Sequence, residues 1–341
     1  MGVRPTISVV MPHLDQPELL ARCLATLAAQ RRPADEVIVV DNGSRALPHA
    51  VCAAHPGTRL LAEAGRGPGL ARNAGIAAAR GDVIALIDSD CVADPGWLEA
   101  AEREIVRPGT DVLGGDVRVT VADPARPTGV EAYELVYAYR MDRYIAREGY
   151  TGTGNLVAWR RVFDAVGPFP GLGMAEDMDW GQRASRMGFA LRFVPDMKVR
   201  HPAHEDVDGL RRKWDRHEAH FFETARARPR GRLRWAAKAA AMPLTPLAEV
   251  PRILASDRLP DMGARMRAWG VLARIRWYRT RIMWRLLTSG DPEALLRSWR
   301  GDDRDARDAV DSPAGSPHAP RRAGAAGGSE PPPRRREGSQ R

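Results

Sequence analysis

The chain has 341 residues, a formal net charge of +9 and 44% hydrophobic residues, enough for one large core or two smaller ones. Its cysteines, Cys23, Cys52 and Cys91, form no CxxC pair and no plausible disulfide set, which fits a reducing, cytoplasmic compartment. No basic-then-apolar leader opens the sequence and no run of about 18 apolar residues occurs, so neither a secretory signal nor a spanning helix is expected.

Taken in order, residues 7–11 (ISVVM) are a short β-branched run, the pattern of a buried strand. Residues 15–30 space Leu19, Leu20, Cys23, Leu24 and Leu27 as one helical face. Asp15 with Glu18 reads as a capping box there, and Pro17 suits a first turn. A second strand, 36–40, ends at Asp41, and a short helix follows in ALPHAVCAAH. Residues 58–62 form a third strand, 68–80 a helix and 82–88 a fourth strand. Alternating strands and helices with near-continuous apolar strands predict a mostly parallel sheet flanked by helices. Further on, the pattern predicts a helix at 96–106, a strand at 111–121 and one helix over 130–146. A loop and strand follow at 151–159, a helix at 175–188 with acids in its first turn, and short strands in ALRFVP and KVRH. Residues 206–300 read as mostly helical. From Gly301 the chain has almost no large apolar residue and is expected to be disordered.

The fourth strand ends in Asp88-Ser89-Asp90. Strand alternation points both carboxylates the same way, where they repel unless a cation sits between them. A hard divalent ion, Mg²⁺ or Mn²⁺, completed by phosphate oxygens is the simplest answer. An isolated D-x-D is more often an ordinary solvated turn, so its company decides. Asp41 ends a neighbouring strand on the same rim, where an acid can meet a ribose or a base or cap the next helix. GRGPGLARNAG (65–75) opens a helix and could receive phosphate. Leu70 stands where a dinucleotide fingerprint needs glycine, which disfavours a nicotinamide enzyme.

Five blocks occur in order: ISVVMPHLDQPELLARCLATLAAQ, EVIVVDNGS, GPGLARNAGIAAARGDVIALIDSDC, GTGNLVAWRRVFDAVGPF and MAEDMDWGQR. Together they resemble the family 2 glycosyltransferases of the GT-A fold over about residues 5–205. The resemblance implies a catalytic domain over 1–205, with a nucleotide-sugar half to about 105 and an acceptor half over 106–205. A basic helical extension (206–300) and the tail (301–341) would follow. It implies metal-dependent transfer of a sugar from a UDP-, GDP- or dTDP-linked donor to an acceptor hydroxyl.

Carried over residue by residue, Asp88, Asp90 and His201 would hold the metal. Pro12, His13, Asp15, Asp41, Arg72, Asn73, Asp88 and Ser89 would line the donor side, with Asp15 where the family usually has Asn. Gly75 would allow close helix packing. Asp177 would be the base beside Glu176, and Gly154, Asn155, Trp180 and Arg183 would face the acceptor. Trp180 and Arg183 lie three and six residues beyond Asp177, so one helical face could present all three. A single displacement would invert the anomeric centre. The processive members' Q-x-x-R-W motif is absent, since residues 273–277 read ARIRW, so one sugar per acceptor is expected. The alternative in another class is a nucleotide-sugar-binding scaffold without catalysis. A sugar-1-phosphate nucleotidyltransferase would want a glycine-rich basic signature after the first strand, and PHLDQPELL has none.

The positive charge is concentrated. Residues 206–300 carry 21 Lys/Arg against 10 Asp/Glu, while residues 1–205 carry 23 against 26. Within 264–287, Val271, Ile275, Tyr278, Ile282 and Leu286 form a helical stripe flanked by arginines, with Trp277 and Trp284 on another side. The stripe either packs on the catalytic domain or meets a surface. With no nucleic-acid module in the chain, an anionic membrane is the expected partner, the protein lying peripherally on the inner face of the plasma membrane. The acceptor would then be a lipid-linked or cell-envelope glycan.

Overall fold

A computed structural model describes residues 4–171, 175–204, 206–292 and 295. The expected disorder of 301–341 lies outside them. Strands β1 (Ile7–His13), β2 (Glu36–Asp41), β3 (Thr58–Ala62) and β4 (Val83–Ile87) alternate with helices α1 (Pro17–Ala28), α2 (His49–Ala53) and α3 (Pro68–Ala78). Then come β5 (Val92–Ala93), α4 (Trp97–Ile105), β6 (Val112–Thr120), α5 (Gly129–Tyr137), α6 (Met141–Glu148) and β7 (Asn155–Trp159). They are followed by α7 (Arg160–Val166), α8 (Glu176–Arg186) and β8 (Leu191–Pro202). The sheet order is β3-β2-β1-β4-β7-β6-β8-β5. Four pairings are parallel; β7 runs antiparallel to both β4 and β6, and β5 antiparallel to β8.

Alternation sorts the core onto two faces. Val9, Met11, Ala85 and Ile87 pack with Leu20 and Leu24 of α1 and Trp97 of α4. Val10, Ile84 and Leu86 pack with Ala71 of α3, Phe163 of α7 and Trp180 of α8. Strands buried on both faces need no alternation of polarity, which is why they read as plain apolar runs. Gly75 lets α3 settle on the sheet: a Cβ there would lie 2.3 Å from Val10 Cγ1.

Three local expectations are corrected. The Asp15–Glu18 capping box does not form; α1 begins after Gln16 with no side-chain cap. Asp15 instead takes φ +50°, and its Oδ1 accepts from the Arg45 N–H (2.9 Å). The helix over 130–146 is two helices, broken where Tyr139 adopts φ +51°. ALRFVP and KVRH belong to one strand, β8. Gly115 and Asp116 of β6 pair with Val194 and Lys198, so Pro195, Asp196 and Met197 form an excursion with no partner on β6.

The basic segment folds as α9 (Val207–Arg226), α10 (Gly231–Ala241), a 3₁₀ turn (Met242–Leu244), α11 (Thr245–Ala248), α12 (Val250–Leu254) and α13 (Met262–Ser289). Ala264, Ala268, Leu272 and Ile275 of α13 bury against Val130, Tyr133 and Val136 of α5. Ile282, Met283 and Leu286 pack with Phe222 of α9 and Trp235 of α10. Most of the predicted stripe is therefore interior, including Ile275, Ile282 and Leu286. Arg279 is buried too, its Nε 2.7 Å from Glu218 Oε1 and its guanidinium 3.6 Å from the Trp214 ring centre.

Candidate active site

The carboxyl ends of β1 and β4, the loop before β7, the start of α8 and one face of α9 surround a cavity of about 530 Å³. Asp88 and Asp90 follow β4, while His201 lies near the end of β8, two sheet positions beyond β7. One ligand atom from each of the three falls within 4.8 Å of the others. At that spacing two carboxylates repel by on the order of 3 kcal/mol at an effective dielectric near 20.

Local cations answer part of this repulsion. Arg72 NH2 lies 2.5 Å from Asp88 Oδ1, and its NH1 is 3.3 Å from Glu176 Oε1. His201 Nε2 lies 3.3 Å from Asp90 Oδ2. Burial alone would lower the His201 imidazole, but the hydrogen bond and charge of Asp90 raise it above its ordinary value. Burial works against Asp90 ionising as well, yet His201 holds it below the usual carboxylate range. Asp90 Oδ1 is buried with no hydrogen-bond partner. Such an orphaned oxygen, beside a second carboxylate and an imidazole, fits a Mn²⁺ or Mg²⁺ ion.

The loop before β7 fits between the two acidic groups. A Cβ on Gly154 would lie 2.7 Å from Asp88 Oδ2, and one on Gly152 3.8 Å from Asp177 Oδ2. Gly154→Ala should push Asp88 aside and weaken Mn²⁺ binding by about tenfold, near 1.4 kcal/mol, in a calorimetric titration. Unchanged affinity would show that Asp88 has room to retreat.

Across the cavity, Asp177 stands in the first turn of α8. Burial, and next the charge of Glu176, push its pKa up to about 6, against Arg216, the Met178 N–H and Arg72. The first helical turn favours anions, but this position lies too deep for that pull to dominate. From α9, Lys213, Arg216 and His217 complete the wall. Lys213 lies 3.9 Å from Glu134 Oε1 and over the Tyr139 ring. Burial and the neighbouring cations hold His217 well below its ordinary value, so it is a neutral imidazole. These α9 residues were not singled out from the sequence. In so basic a segment nothing distinguishes an inward lysine from the outward arginines.

Other sequence candidates are used differently. Pro12, His13 and Ser89 line the cavity. Asp41 is buried behind it: the Gly43 and Ser44 N–H groups, the Ser44 hydroxyl and His13 Nδ1 occupy its oxygens. The Gln16 N–H donates to His13 Nε2, which fixes the proton on Nδ1. Asn42, the next residue, reaches the cavity instead.

Asn73 makes a two-way pair with the Phe169 backbone, so it braces the 169 loop. Asn155 is wholly buried, accepting from Trp97 Nε1 and donating to the Asp116 and Met197 carbonyls. Trp180 is equally buried, stacked on Phe163 and Phe169. Arg183 binds Asp179 and the carbonyls of Val166 and Pro168. The shared helical face expected for Asp177, Trp180 and Arg183 therefore divides between cavity, core and loop, because the arc they span is wider than the cavity.

Comparison with known proteins gives this mixed sheet, with acids gathered at its rim, a family. Residues 8–167 match the model of glycosyl transferase family 2. Glycosyltransferase AglE of Haloferax volcanii is 33% identical over 207 residues, 58% of this chain and 67% of AglE. Succinoglycan biosynthesis protein ExoO of Rhizobium meliloti is 37% identical over 124 residues, so the chain covers only 36% of that protein. The chain belongs to glycosyl transferase family 2 and is a glycosyltransferase. Mannosyltransferase PcManGT of Pyrobaculum calidifontis, solved with GDP-Man and Mn²⁺, shares the GT-A fold: TM-score 0.55 at 20% identity, covering 80% of this chain and 86% of that one.

Proposed function

We propose that the protein transfers one sugar, with inversion, from a nucleotide-sugar to an acceptor hydroxyl, using a divalent metal. The observation that carries this reading is the opposed pair of acidic groups on one cavity. Asp88 and Asp90 with His201 stand on one side, and Asp177, with a pKa of about 6, stands on the other. Asp88, Asp90 and His201 would hold a Mn²⁺ or Mg²⁺ ion, which would supply positive charge to the leaving diphosphate. Asp177 accepts the proton of the attacking hydroxyl, as a base titrating near the working pH should. Glu176, held by Arg72, keeps Asp177 from titrating lower. A panel of nucleoside diphosphates, with and without Mn²⁺, tests the reading by thermal shift. One base should stabilise the protein only with the ion, and its activated sugars should then be turned over. A protein indifferent to all of them would sink the reading.

The acceptor we propose is lipid-linked and carries a phosphate. Lys213 and Arg216 lie one turn apart on α9, and each acts electrostatically on Asp177 or is acted on by it. Cations beside the base suit an anionic group next to the attacking hydroxyl. Lys213→Met should raise KM for a phosphorylated acceptor by about tenfold, leaving donor affinity unchanged. An equal loss of donor affinity would assign Lys213 to the donor diphosphate. No helix among the described residues is long and apolar enough to cross a membrane. We propose that such an acceptor is reached by peripheral attachment to the cytoplasmic face of an anionic membrane.

A further inference from the structure

The buried stripe of α13 leaves the opposite side of that helix unexplained. Met262, Met266, Trp277 and Trp284 fall within about 60° of one another at 100° per residue. They lie opposite Ala268, Ile275 and Leu286 and are 58%, 70%, 61% and 42% exposed. The helix is thus apolar on two sides, one interior and one in solvent. Isolated exposed apolar residues are ordinary, but nine of the thirteen large ones among the described residues fall between Leu233 and Trp284.

Of the other five, Trp269 is on α13 and four lie beside it. Helices α10 to α12 run antiparallel along it. Arg232 donates to the Leu287 carbonyl, Trp235 to Met283, Trp269 to Pro246 and Arg265 to Leu254. Leu233, Leu244, Leu247 and Leu254 are exposed along this second row. The 28 residues of α13 make the layer roughly 42 Å long.

Charge identifies the occupant. Over α13 there are seven arginines and no acid, and over α10 two arginines, one lysine and no acid. Arg267, Arg274, Arg281 and Arg285 are exposed along one flank of the Met–Trp stripe. Arginine heads and tryptophan rings suit a headgroup layer, and methionine and leucine suit the acyl chains beneath it. We propose that the outer face of α13 with the neighbouring α10–α12 row docks on a bilayer of anionic phospholipid. Met262, Met266, Trp277 and Trp284 enter the acyl boundary while Arg274, Arg281 and Arg285 meet the headgroup phosphates. The proposal names the face responsible for the peripheral attachment proposed above and rests on that attachment.

The test is flotation of the full chain with vesicles of phosphatidylcholine alone and of phosphatidylcholine with phosphatidylglycerol. The native protein should float only with the anionic vesicles and be released by salt. Replacing Met262, Met266, Trp277 and Trp284 by glutamine should cut the bound fraction by at least about tenfold. Arg274→Gln, Arg281→Gln and Arg285→Gln together should do the same and flatten the salt dependence. Quenching of tryptophan emission by brominated lipid should disappear in the first variant. Its thermal response to Mn²⁺ with nucleoside diphosphate should match the native protein, which shows that it folds. Native flotation matched by the Met–Trp variant would assign attachment to another surface and overturn this proposal alone. A native protein that never floats would overturn the attachment as well. So would a native dimer that the variant dissolves, since the face would then belong to a second copy.

Discussion

Asp177→Asn should lower the transfer rate by roughly 10²–10⁴-fold, the usual contribution of a positioned base. Affinity for nucleoside diphosphate with Mn²⁺ should barely change, because the amide keeps the shape of the carboxyl and lies across the cavity from the Asp88–Asp90 pair. The pH profile gives an independent check. Asp177 is protonated below about 6 and ionised above it, so the native kcat/KM should fall as pH drops through that value. The asparagine variant should lose this limb. Glu176→Gln removes a charge that raises Asp177, so the limb should move to lower pH. Calorimetry in which Asp177→Asn weakens binding as much as turnover would remove the base assignment.

Asp90→Asn should be nearly as damaging, for a different reason. The substitution exchanges a charged ligand for a neutral one and leaves the volume unchanged. Mn²⁺ affinity should fall by about a hundredfold, near 2.7 kcal/mol, and stabilisation by nucleoside diphosphate with Mn²⁺ should vanish. Without ion, the variant should melt only slightly lower than the native protein, because losing the Asp90–His201 pair is partly offset by relief of repulsion from Asp88. A native-like metal titration, or a large drop in melting temperature without metal, would mean that Asp90 serves the fold rather than an ion.

Much of the nucleotide side was readable from sequence because buried parallel strands and their helices have plain signatures. Residues 58–62 matched β3 residue for residue, and the other early strands differed only at their ends. Asp88 and Asp90 were readable from the family's D-x-D block, while His201 was placed only by its position after a short strand, more than a hundred residues away. The losses have local causes. Tyr139 breaks a helix without a glycine or proline to announce it. The Pro195–Met197 excursion made one strand look like two. Trp180 and Arg183 were assigned by spacing, which fixes the arc a residue occupies but not what lies opposite. Lys213 was hidden by composition, and the outer stripe of α13 by an inner stripe equally apolar.

The seam between β4 and β7 has a consequence for how such a cleft can change. Asp88 leaves the carboxyl end of β4, and Gly154 sits one residue before the start of its antiparallel neighbour, where Ile87 faces Asn155. A slip of one residue would turn Asn155 outward and press a core side chain against Asp88. Main-chain pairing therefore fixes where the Gly152–Gly154 loop meets Asp88. Diversification toward new sugars and acceptors is left to the surrounding loops and to α9, which can be remodelled while the seam stays in register.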